Sequence, residues 1–302
     1  MKNSIKHLAP DKRRQLEEIK RIVFRLSRPE MIILFGIFAE QQSGIDTPEV
    51  PPVLQVFDLL ITVKNFNSKE LSSLQSIIED KCATRAPINL TIHSHKYIND
   101  RLIEGNYFFY QIAQNGILIH SNTGAELAKP TAPDFVKARQ IAEQDFRFWS
   151  TQAIHFYECA STSMDHGYQR SCAFLLHQAV EQMYQAILLT HTGYKPATHN
   201  LNKLRRSTAK FSPKLCQIFP DSTDDDRRLF HLLVISYIDA RYNQNFQVTE
   251  KDLIALLDRV GHFLTLGQTI CRLHLELLDK LDLQHETLSE NSDPSFENIK
   301  DK

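Results

Sequence analysis

Residues 168–204 read YQRSCAFLLHQAVEQMYQAILLTHTGYKPATHNLNKL. Cys172, Leu176, Ala179, Val180, Met183 and Ile187 recur at helical spacing, which predicts an amphipathic helix with one apolar stripe. Gln178, Glu181, Gln182 and Gln185 fall off that stripe. Gly193 is a C-terminal stop signal, with Pro196 just beyond it. A second helix is expected to start near His199 and Asn200, with Leu201 and Leu204 as its first apolar contacts. The unit is therefore a long helix, a short Gly/Pro turn and another helix.

Outward from this unit the pattern stays helical. Residues 135–161 carry Ala138, Ala142, Phe146, Trp149, Ala153, Phe156, Tyr157 and Ala160 on one broad face. Residues 222–237 form a further helix through Leu229, Leu232, Leu233 and Ser236. Thr249 with Asp252 reads as a capping box, with Asp in place of Glu, opening a long helix to residue 281. The expectation is an all-α bundle of about five helices over residues 130–283. Residues 284–302 are polar and without periodicity, which predicts a disordered tail.

The front of the chain, residues 1–125, alternates instead. Helical patterns at 12–26, 68–81 and 97–114 (broken at Gly105) are interleaved with apolar or β-branched runs at 31–35, 54–63, 88–93 and 117–120. Gly36 reads as a tight exit from the first run, and residues 40–53, with Gly44, Pro48, Pro51 and Pro52, as a loop. That makes an α/β unit, and the whole chain a two-domain α+β protein.

The chain has 302 residues and a formal charge of −1, so no whole-molecule field draws in nucleic acid or an acidic membrane. Its five cysteines are far apart and odd in number, which argues against a disulfide framework. The N-terminus lacks the apolar core of a signal peptide, and no apolar run reaches membrane-spanning length. A soluble cytoplasmic protein is expected.

The central stretch resembles the HEPN family of helical nucleotide-binding domains. The resemblance is carried by Ala173-Phe174, His177-Gln178-Ala179, Glu181, Ala186, Gly193, Pro196 and Thr198-His199-Asn200-Leu201 with Leu204, and extends to the late stretch 237–242, Tyr-Ile-Asp-Ala-Arg-Tyr. It implies nucleotide or RNA binding and homodimers paired through the helical domain. His177, Glu181, His199, Arg241 and Tyr242 are its nucleotide-binding candidates. Catalytic members of the family are metal-independent ribonucleases with an Arg-x4–6-His motif near the late position, the Arg facing the scissile phosphate and the His acting as acid or base. After Arg241 no histidine follows until His262. Arg170 and His177 satisfy the spacing, but on the central helix. The plainer reading of His177 is a helix-face imidazole with Glu181 one turn on, and of His199 a helix-start residue bonding backbone. Arg241 and Tyr242 tie a helix end to its neighbour or line a groove. Lys203, Arg205, Arg206, Lys210 and Lys214 form a basic patch, read as a solvated face or as a phosphate-contacting edge. Asp224-Asp225-Asp226 is helix N-terminal charge.

The front unit resembles the minimal nucleotidyltransferases of the polymerase-beta-like fold, through Leu34-Phe35-Gly36 and Phe57-Asp58-Leu59-Leu60-Ile61. In that family a Gly-Ser turn follows the first strand, an Asp-x-Asp pair lies on the next, and a third acid lies on a later one. Carboxylates at i and i+2 share a strand face and hold the metal ions of phosphoryl transfer. Here the Ser position is Ile37, the first acid position is Val56, and the third strand offers Asn89 or Thr91. Gly36 and Asp58 remain as nucleotide-binding candidates. The reading is a degenerate domain, with Asp58 a polar residue near a strand end bonded to a loop amide. Asp46 and Glu49 in the loop are the candidate substitute ligands. His93 and His95 share a face if their strand continues, with no third ligand for zinc. No metal or cofactor is expected; magnesium enters only if the front domain is active. The function expected is noncatalytic nucleotide or RNA binding, in a stress or toxin–antitoxin setting. The alternatives are nucleotide transfer to RNA or protein using Asp58, a ribonuclease using Arg170 and His177, and an interaction scaffold.

Overall fold

The computed structural model describes residues 4–41, 53–64, 66–83 and 86–290. The loop carrying Asp46 and Glu49 lies outside them. The front unit runs α1 (Pro10–Ser27), β1 (Met31–Gln41), β2 (Val53–Val63), α2 (Ser68–Cys82), β3 (Ile88–Ser94), α3 (His95–Ile103), α4 (Tyr107–Asn115) and β4 (Ile117–Ser121). The strands lie in the order β3-β2-β1-β4, with β2 and β3 parallel and the other pairs antiparallel.

Alternation along the strands sends residues to two cores. Ile32, Leu34, Leu59 and Ile61 pack with Leu16, Ile19 and Val23 of α1 and Ile78 of α2. Ile33 and Leu60 pack with Ile98, Leu102, Phe109 and Ile112 of α3 and α4. Asp58 has the parity of Leu60 and so lies on the second face. Helix α2 opens with a capping box in which Asn67 and Glu70 satisfy each other's backbone N–H. Gly36 is not a strand exit: β1 continues past it to Gln41, with an irregularity in pairing between Leu34 and Gly36. His95 opens α3 instead of extending β3, so it does not share a strand face with His93.

After residues 122–134, which hold no regular element, the helical unit comprises α5 (Phe135–Asp165), α6 (Gln169–Thr192), α7 (Leu201–Thr208), a 3-10 turn (Ala209–Phe211), α8 (Pro213–Ile218), α9 (Asp224–Tyr242) and α10 (Glu250–Glu290). Helix α6 is central, packed against α5, α7, α9 and α10. It is accordingly buried almost all round, including Glu181 and Gln185, which the single-stripe pattern places outside. Gly193 ends it in the left-handed conformation, φ 62°. The capping box at Thr249 forms in part: Asp252 N–H donates to the Thr249 hydroxyl. Helix α10 continues through 284–290, part of the stretch predicted to be disordered; residues 291–302 lie outside the described residues.

Tyr194, directly after the Gly193 turn, docks the bundle onto the front unit. Its ring stacks on Phe108 at 5.0 Å, and its hydroxyl meets His93 Nε2 at 3.0 Å. Burial pushes the His93 pKa down from 6.5 to about 4. An unfolded His93 takes up a proton near 6.5 that the folded one refuses until about 4. Its contribution to stability is therefore intact above 6.5 and is lost as the pH falls toward 4. A His93→Phe variant is expected to flatten the fall in stability between about pH 6.5 and about pH 4 in urea denaturation; a slope equal to the parent's would contradict this assignment.

Candidate functional site

Asp58 lies in mid-strand, opposite Gly36 on β1 and beside Asn89 on β3. Its side chain is buried. A Cβ on residue 36 would stand 2.7 Å from Asp58 Oδ2, so the close approach requires glycine there. Among the described residues no loop amide bonds Asp58. Asn89 Nδ2 donates to Oδ1 at 2.8 Å, and Lys210 Nζ donates to Oδ2 at 2.7 Å. Val56, at the position of the first acid, is fully buried. A lone carboxylate holding an ammonium lacks the oxygen cage that hard divalent ions take. Among the described residues no group of three His, Cys, Asp or Glu side chains is placed to hold a metal.

Lys210 comes from the 3-10 turn after α7, so the counter-ion of Asp58 belongs to the helical unit. Lys203, on α7, makes a second such contact: Nζ lies 2.8 Å from Glu79 Oε2 on α2. Glu79 Oε1 accepts from the Leu90 N–H of β3. Both carboxylates are nearly inaccessible to solvent. Between the units remains a cavity of about 50 Å³, lined among others by Asp58, Glu79, Asn89, Tyr194, Lys203 and Lys210. That holds a few waters, far below the roughly 300 Å³ at which small-molecule pockets begin. Lys203 and Lys210 are thus not part of a solvated face or a free edge. These two lysines of the basic patch are spent on the front unit, and Arg205 lies over the Phe230 ring at 5.0 Å. Arg206, half-buried, and Lys214, exposed, make no contact of this kind among the described residues.

The second constellation lies on α6, the loop after it and α9. Glu181 is 4% exposed. His199 Nδ1 lies 2.8 Å from its Oε1, and His177 Nε2 lies 3.6 Å from its Oε2. Burial alone pushes the Glu181 carboxyl up, but its contacts with His177 and His199 outweigh that and hold it below the ordinary 4.5. His199 therefore bonds a carboxylate, not backbone, and it precedes the N-cap Asn200 of α7. Its ring stacks on Tyr237 at 5.3 Å, with 11° between planes, while 64% of its side chain stays exposed. The His177 ring stacks on the same tyrosine at 5.1 Å. The Arg241 guanidinium lies 4.5 Å over Tyr237, 4.9 Å over Tyr242 and 5.0 Å over Phe174. Its Nε donates to the Tyr237 carbonyl one turn back, and its contact with Phe174 ties the end of α9 to α6. Tyr242 is 73% exposed. Tyr237, at the centre, is the member that spacing alone missed. Its place one turn before Arg241 on the same helix face was the available signal.

The remaining candidates have structural duties. Arg170 donates to the carbonyls of Asp239, Ala240, Asn243, Gln244 and Phe246, which closes the C-terminal end of α9. His177 is 1% exposed, and its Nδ1 is 3.0 Å from the Leu233 carbonyl. A buried imidazole and a carbonyl-bound guanidinium offer nothing to a scissile phosphate. Asp226 is the capping-box residue of α9 with Thr223; burial raises its pKa, but hydrogen bonds from Thr223, Arg259 and Ser222 bring it down to about 2.

An α/β unit joined by buried ion pairs to a helical bundle with a carboxylate–histidine cluster defines a two-domain α+β protein. Residues 146–270 match the HEPN domain model, and the helical half of the chain carries a HEPN domain. A solved structure of a nucleotidyltransferase-like protein from Exiguobacterium sibiricum is similar at 11% identity, covering 86% of this chain and 78% of that one, with a TM-score of 0.30. No curated protein matches the sequence. No helix among the described residues is long and apolar enough to cross a membrane.

Replacing Arg170 by Ala strands several helix-end carbonyls at once. With charged hydrogen bonds contributing about 1.5–3 kcal/mol, Arg170→Ala is expected to cost about 3 kcal/mol in urea denaturation. A loss within about 0.5 kcal/mol, the range of ordinary surface substitutions, would contradict the capping role.

Proposed function

We propose that this chain is a noncatalytic nucleotide- or RNA-binding protein, in which the HEPN domain holds the ligand and the front unit is a degenerate nucleotidyltransferase. The observation that carries this reading is the solvent-facing platform of His199, Tyr237, Arg241 and Tyr242. Glu181 fixes the His199 ring through Nδ1 and Tyr237 stacks on it, while 64% of the His199 side chain stays exposed. An unstacked base packs on such an exposed ring, and the Arg241 guanidinium adds charge for an adjacent phosphate. The arrangement is sequence-tolerant, because every base has a π-face. The front unit supports the noncatalytic part of the reading. Its glycine and one strand acid stand in the order of a nucleotidyltransferase, but Val56 and Asn89 occupy the other acid positions and Lys210 holds Asp58. Tyr168, the residue that opens α6, and Ile238 on α9 are large apolar side chains left exposed, a surface suited to a second copy of the chain.

Fluorescence anisotropy with a single-stranded RNA of about 12 nucleotides tests the platform, with ATP and GTP as competitors. Stacking is worth about 1–3 kcal/mol per base, so His199→Ala and Tyr242→Ala are each expected to weaken binding about tenfold. Arg241→Ala is expected to lower the slope of log affinity against log salt by about 1. Parent protein that binds neither RNA nor either nucleotide would overturn the proposal.

A further inference from the structure

The platform histidine is not held by its own domain alone. His199 lies in the segment between α6 and α7, and the front unit grips that segment at both ends. At one end Tyr194 sits against Phe108, Phe109 and His93. At the other, Lys203 in the first turn of α7 meets Glu79, with Ser76 Oγ at 3.2 Å from the same Nζ. Lys210, just past the end of α7, adds the Asp58 contact. Between the two grips the loop is tied to its own unit at two points: Lys195 Nζ lies 3.8 Å over the Trp149 ring of α5, and Gln185 Nε2 donates to the Thr198 carbonyl at 3.5 Å. The His199–Glu181 contact then closes the loop onto α6.

The ion pairs are built to hold. The Glu79 and Asp58 side chains are 6% and 3% exposed, and the Lys203 side chain 15%. Removing one partner of such a pair leaves a buried charge without its counter-ion. Docking of the two units therefore adds two outside anchors, at Tyr194 and Lys203, to the contacts the segment makes within its own unit.

We propose that the front unit is a positioning scaffold for the HEPN-domain ligand site, with Tyr194 and Lys203 acting as positioning residues that hold the 195–200 loop so that His199 stacks on Tyr237 and bonds Glu181. Neither residue touches the ligand. The proposal rests on the binding reading for its affinity readout, and has a second readout that needs no ligand. It also gives the degenerate unit a role, because two of its acids, Asp58 and Glu79, anchor Lys210 and Lys203 of the helical unit.

The test uses the full chain. Lys203→Met is compared with the reciprocal pair Lys203→Glu/Glu79→Lys, which restores an ion pair with reversed polarity. Two quantities are measured: affinity for the single-stranded RNA, and, without RNA, the His199 ring nitrogen shifts together with amide exchange across 194–202. Coupling through packed elements changes affinity by about tenfold. Lys203→Met is expected to weaken RNA binding by that order, to raise exchange within 194–202 while α6 stays protected, and to erase the shift that marks the Nδ1–Glu181 contact. The reciprocal pair is expected to recover at least part of all three. Unaltered exchange and unaltered His199 shifts in Lys203→Met overturn the proposal, as does raised loop exchange at unchanged RNA affinity. If the parent binds no RNA, the binding reading fails, and the exchange and shift measurements still decide whether the front unit positions the loop.

Discussion

Asp58 is a charge placed in the middle of a β-sheet, with its side chain shut away from water. Such a group is stable only beside a counter-ion or fully hydrogen-bonded partners. Here both conditions are met, by Lys210 on one oxygen and Asn89 on the other. Because the lysine comes from the helical unit, satisfying this one carboxylate couples the two halves of the molecule. Glu79 and Lys203 repeat the solution on α2 and α7. The interface is thereby specified by charge as well as by the apolar contact of Tyr194 with Phe108 and Phe109.

A comparable constraint organises the helical unit. Glu181 is buried in the most enclosed helix of the bundle, and two histidines approach its oxygens. One of them, His177, is sealed in the core; the other, His199, is mostly outside. The carboxylate therefore transmits the rigidity of α6 to a surface ring. Tyr237 stacks with both imidazoles and carries Arg241 above it, so the exposed platform is continuous with packed interior. On the proposed reading, rings held in this way would lose little freedom when a base stacks on them. A catalytic arrangement would need a free proton-transfer group beside a free cation. Arg170 and His177, the pair with the right spacing, have neither freedom.

Much of the fold was legible because its signals are local. Gly193 at a helix end, the acidic run Asp224–Asp226 at a helix start, and the strand pattern around Leu59 and Ile61 each act within a few residues. Helix α6 was legible as a helix but not as a buried one, since Glu181 and Gln185 look like solvent residues until their partners are known. The partners lie far off in the chain: Lys210 is 152 residues from Asp58, and His199 is 18 from Glu181. Spacing rules do not reach across such separations, which is why Lys203 and Lys210 read as a surface patch and His199 as a helix-start residue. Arg170 misled for the same reason. Its motif spacing was visible, whereas the helix-end carbonyls that claim it are roughly seventy residues on.

Front and rear units share one logic, in which acids that could hold metal or take protons are instead committed to basic side chains of the protein itself. The most direct measurement is transfer of labelled nucleotide to RNA or to protein by the purified chain with magnesium present. The expected result is no transfer above background, identical for the parent and for Asp58→Ala. Transfer by the parent that disappears in Asp58→Ala would contradict the account, because it would require Asp58 to leave Lys210 and serve a metal ion.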